Sequence, residues 1–108
     1  MGDALSALED FYFSLRDQVS MLSVATTPQE QRDTLNSQVV AARTAYWACV
    51  NKMFHDDDPQ VISLTSQLKT ATDQVKAAVK QMGSISKVID DITEGVTIAT
   101  QLAGLVVG

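Results

Sequence analysis

The spacing of apolar residues after Pro59 restricts this chain more than any other feature. Val61, Leu64, Leu68, Ala71, Val75, Ala78, Met82, Ile85, Ile89, Ile92, Val96, Ala99, Ala103 and Val106 alternate steps of three and four without a slip. That period places them on one stripe of an α-helix and excludes a strand, whose side chains alternate every two residues. Sustained over so many turns, it is the spacing of coiled-coil-like packing.

A single helix from Pro59 to Leu105 would be roughly 70 Å long, about twice what the chain before it can cover. Gly83-Ser84 is where the stripe can fold back. Glycine suits the residue after a helix end, Lys76 and Lys80 suit a C-terminal turn, and Ser84 or Ser86 can cap a new helix. A glycine inside an unbroken helix costs only about 1 kcal/mol, so a continuous helix burying its far half in another subunit is the alternative. The break is the expectation.

Two further helices precede it. Leu5, Leu8, Tyr12, Leu15, Val19 and Leu22 form a stripe over residues 3–23, with Asp3 as cap and Phe11 and Phe13 flanking it. Thr27-Pro28 with Glu30 is a capping box with proline at the first helical position. It opens a helix over 28–55 whose stripe is Leu35, Val39, Ala42, Tyr46, Cys49 and Met53. Asp58-Pro59 repeats the cap-and-proline start for a helix over 59–82, and the last helix is expected over 85–106. Residues 1–108 therefore make one all-α domain, an antiparallel helical bundle. It has four helices if the chain breaks at Gly83-Ser84, and otherwise three with a long C-terminal helix.

The composition agrees with a folded chain: 45% of the 108 residues are hydrophobic, with two prolines and five glycines. A formal charge of −5 argues against a nucleic-acid binder, which normally shows a basic face. The N-terminus lacks a basic segment followed by an apolar one, so no signal peptide is expected. Met1-Gly2 with Ser6 fits a loose myristoylation pattern, but the acidic Asp3 after the glycine argues for an ordinary helix start. Cys49 is the single cysteine, which fits the cytoplasm or export without a signal peptide.

Reactive chemistry is sparse. His55-Asp56-Asp57-Asp58 is the only cluster resembling a metal site, yet it lacks the alternate-position ligands of a calcium loop. It reads instead as an acidic helix N-terminus. Cys49, one turn from Tyr46 and Met53 on an apolar stripe, reads as core rather than nucleophile. No catalytic residue, metal or cofactor is expected.

The remaining signals concern surfaces. Phe13 and Trp47 fall off the stripes and suit a partner-binding patch. Lys69, Lys76, Lys80 and Lys87 precede the acidic Asp90, Asp91 and Glu94, a division that two packed helices can use to set register. Residues 95–108 carry no charge, and Gly95, Ala99 and Ala103 repeat every four residues, which permits close helix approach. The leading expectation is a non-enzymatic interaction protein. It would self-assemble or bind a helical partner through the C-terminal seam (Ile85, Ile89, Ile92, Val96) together with Phe13 and Trp47. The alternative is a membrane-active protein that inserts Val96, Ile98, Leu102, Leu105 and Val106, although that segment is too short to span a bilayer.

Overall fold

The computed structural model describes residues 3–22, 29–50, 52, 54, 57–80 and 85–105. Four helices account for nearly all of them: α1 (Asp3–Leu22), α2 (Gln29–Cys49), α3 (Pro59–Lys80) and α4 (Ile85–Ala103). The protein is an all-α bundle of four helices. The long stripe is divided, with α3 ending at Lys80 and α4 starting at Ile85; Gly83-Ser84 themselves lie outside the described residues. So do Thr27, Pro28, Met53, His55, Asp56 and Val106.

Asp58 starts α3 as its sequence suggests. The Gln60 N–H donates to Asp58 Oδ1 at 2.8 Å, and the Ile62 N–H donates to the Asp58 carbonyl at 2.9 Å. Pro59 loses nothing there, because the first helical amides have no intrahelical partner. α2 stops at Cys49, short of the expected residue 55. The amides of Val50 and Lys52 donate to the carbonyls of Trp47 and Cys49 at 3.4 and 3.0 Å, tight three-residue bonds that close the helix.

Each helix has two flanking neighbours. α1 lies beside α2 and α3, and α4 lies beside the same two from the opposite corner. α1 and α4 also touch across the centre, whereas no contact joins α2 and α3 among the described residues. Gln60 and Leu64 share a groove with Gln101 and Leu105, so α4 returns antiparallel along α3. Tyr46 meets Glu9, so α2 returns antiparallel along α1.

The core does not follow the expected stripes residue for residue. In α4 the fully buried line is Val88, Ile92, Gly95, Ala99 and Leu102, while Ile89, Val96 and Ala103 are half-buried. In α1 it is Ala4, Leu8, Phe11 and Leu15, with Leu5 half-buried. Both lines keep every other position of the heptad stripe (Ile92 and Ala99, Leu8 and Leu15) and stand one residue before it at the rest. A two-stranded seam buries one narrow edge, but a bundle helix with two flanking neighbours and a diagonal one buries a wider arc.

Phe11 shows what centres that arc. It is 1% exposed, and its ring lies against Gly95. A Cβ on residue 95 would stand 2.5 Å from Phe11 Cε1 and 2.7 Å from Cζ. The glycine is a notch in α4, and Phe11, the largest fully enclosed side chain of α1, fills it.

Candidate functional site

With the apolar stripes spent on the core, the informative side chains are the apolar ones left outside. Among the described residues these are Phe13, Val40, Trp47, Val50 and Ile62. All but Ile62 belong to α1 and to α2 with the turn that follows it. Val40 and Trp47 are seven residues apart, two helical turns, so they line one outward face of α2. Trp47 is the most exposed of the five, at 65%.

Tyr46 connects that face to α1. Its hydroxyl donates to Glu9 Oε2 at 3.0 Å, and its ring stacks on Tyr12 with centroids 6.0 Å apart. Phe13 completes the group, 5.1 Å from Tyr12 and 6.2 Å from Tyr46. These separations are those of favourable offset and tilted aromatic pairs. The bond to Glu9 holds the Tyr46 phenol above its ordinary pKa, with burial and the carboxylate's charge adding to the effect.

Arginines cover the rings. The Arg16 guanidinium lies 4.8 Å from the Phe13 centroid and 5.7 Å from that of Tyr12, and Arg43 lies 5.7 Å from that of Trp47. Arg32 stands three helical turns before Arg43 on the same side of α2 and donates to Gln29 Oε1 at 2.8 Å. The chain's three arginines are therefore all on α1 and α2. The result is a group of three packed rings under Arg16, with the exposed Val40 and Trp47 beside Arg43 on the outer face of α2.

The seam residues occupy a different place. Ile92 is fully buried, Ile89 and Val96 are half-buried, and the side chain of Ile85 lies outside the described residues. Ile98 and Leu102 are buried and Leu105 half-buried. In this fold they face the chain's own helices, because α4 returns antiparallel along α3 and covers the seam from within. No helix of the described residues is long and apolar enough to cross a membrane.

Other features carry less chemistry. Cys49 is buried at the end of α2; burial pushes its thiol pKa up, with the Lys52 charge opposing, so the nucleophilic thiolate is disfavoured. Among the described residues no three His, Cys, Asp or Glu side chains gather to hold a metal ion. The α1/α3 groove is lined by Asp10, Lys69, Asp73 and Lys76, two charges of each sign.

Sequence reasoning singled out Phe13 and Trp47 but missed the residues that join them. Val40, Arg43 and Trp47 recur at three and four residues, a second stripe on α2 whose period was available to be read. The Tyr46–Glu9 bond had no signal along the chain, whereas Arg16 stands three and four residues after Phe13 and Tyr12, the spacing of helix neighbours. No protein-family model matches this chain, and neither a curated protein nor a solved structure matches it.

Proposed function

We propose that this protein is a non-enzymatic interaction module that meets a protein partner, or a second copy of itself, through the α1/α2 face. The observation that carries this reading is the ordered aromatic group with Trp47 65% exposed beside it. Aromatic and arginine side chains dominate binding energy at protein interfaces, chiefly when they are held in place before the partner arrives. Burying a side chain such as Trp47 removes a large apolar area from water, and the rings of Tyr12, Phe13 and Tyr46 are already held against one another.

The seam participates indirectly. Ile92, Ile89 and Val96 hold α4 against the rest of the bundle, and this keeps α1 and α2 in register. A partner entering along the seam would have to displace α4.

A photo-crosslinking side chain placed at position 47, and separately at 13, tests the reading in the host cell. A discrete adduct from both positions and none from position 74 on α3 is expected. Adducts of twice the monomer mass would identify a second copy. No adduct at 47 or 13, or equal trapping at 74, would sink the assignment of this face.

A further inference from the structure

We infer that the occupant of the α1/α2 face is an acidic amphipathic helix, a segment of another protein whose apolar line is flanked by Asp or Glu. This rests on the interaction reading above and names the chemistry of its partner. The apolar line from Val40 through Trp47 to Val50 runs along the α2 axis for about 15 Å. An elongated line beside a second helix is the shape that receives residues at i, i+3, i+4 and i+7 of a docking helix.

Charge then selects among occupants. Arg16 and Arg43 lie over the rings of Phe13 and Trp47. A guanidinium stacked on a ring still has in-plane N–H donors to offer, in a fork that matches a carboxylate. Glu9, at the edge of the aromatic group, is committed to the Tyr46 hydroxyl. The Arg16–Asp17 pair is 3.9 Å apart with both side chains more than half exposed, so it competes weakly for Arg16.

The same charges disfavour the other occupants. Two copies joined by a two-fold axis through this face would set its arginines against themselves. α1 and α2 together carry six carboxylates against three arginines, so the preference belongs to the local edge at Arg16 and Arg43. A short helix can meet that edge alone, whereas a membrane or nucleic acid would meet the chain's net charge of −5.

Trp47 is the only tryptophan, so the surface reports on itself. The probes are two tryptophan-free synthetic helices of about 18 residues, five turns, with one shared leucine stripe, flanked by Glu in the first and by Lys in the second. The Glu-flanked peptide is expected to shift Trp47 emission to the blue and to bind at least about tenfold more tightly than the Lys-flanked one. Combining Arg16→Gln with Arg43→Gln should erase most of that preference while leaving the helical circular dichroism intact. Lys76→Gln with Lys80→Gln, on α3, should leave it unchanged.

Equal binding of both peptides, or of neither, overturns the inference. So does a blue shift produced by concentrating the protein alone with a doubled mass in light scattering, which assigns the face to a second copy. A shift with phosphatidylserine vesicles but not with the Glu-flanked peptide assigns it to a membrane. If crosslinking at 47 still traps a protein while the Glu-flanked peptide fails, only the acidic helix falls; without an adduct the interaction reading falls with it.

Discussion

At the scale of single residues, the contact of Phe11 with Gly95 decides how the two diagonal helices meet. Alanine is favoured over glycine inside a helix by about 1 kcal/mol, so Gly95→Ala would stabilise an ordinary exposed position. Here the new methyl would lie 2.5 Å from a ring that is itself closed in on all sides. Overpacking of this kind costs about 1–3 kcal/mol, and we expect Gly95→Ala to lower the urea midpoint. Adding Phe11→Leu should make the alanine tolerable, so the two losses will not add. The small residues every four positions announced a close approach in the sequence; which ring would use it depended on a helix some eighty residues away.

Tyr46 supplies a pH prediction at the same scale. Its phenol pKa is raised in the folded state, so the native protein holds that proton more tightly than the unfolded chain does. The resulting stabilisation is complete below the ordinary tyrosine value of 10.0 and is lost as pH rises through the higher folded value. Denaturation midpoints of the native protein should therefore fall more steeply above about pH 10 than those of Tyr46→Phe. Parallel alkaline profiles would mean that the Glu9 bond contributes nothing.

At the scale of elements, the helix starts were the most legible part of the chain. Asp58-Pro59 is local grammar, and cap and helix are adjacent in sequence. The heptad stripes were legible as faces but not to the residue, because a stripe records a helix's average direction while its neighbours set its rotation. Threonines show the same limit. Thr34, Thr44, Thr70, Thr72, Thr93, Thr97 and Thr100 each donate to the carbonyl four residues earlier. Thr65 is 6% exposed and its hydroxyl has no partner. A buried hydroxyl without a bond costs about 1–3 kcal/mol, and an apolar group of the same shape avoids that cost. Thr65→Val should therefore raise the unfolding free energy by about 1 kcal/mol. Thr72→Val, which sacrifices an existing bond, should show no comparable gain. Urea titrations of both variants decide it; a loss at Thr65 would mean that its hydroxyl is bonded in solution.

For the whole molecule, the fold was readable because every helix carries an apolar face, and α3 its own cap. The α1/α2 surface was readable only in fragments. Tyr46 sits on the core stripe, yet it ends as a half-buried bridge between helices, and only the packed bundle tells these outcomes apart. The bundle depends on α4, which like α1 touches all three other helices. A chain ending at Glu94 would lose Ile98, Ala99 and Leu102 from the core, along with the seat of the Phe11 ring. Truncating one buried Leu or Ile to alanine costs about 2–5 kcal/mol, while domains of this size hold only about 5–15 kcal/mol in all. The shortened chain should therefore show no cooperative unfolding transition by circular dichroism, whereas Leu102→Ala should still unfold in one step at a lower urea midpoint. A cooperative transition in the shortened chain would show that α1, α2 and α3 suffice for a fold, and residues 95–108 would then be free to act outside the bundle. If the transition disappears, loss of any activity on deleting the tail reports unfolding, and the tail's own role must be read from substitutions at half-buried Val96 and Leu105.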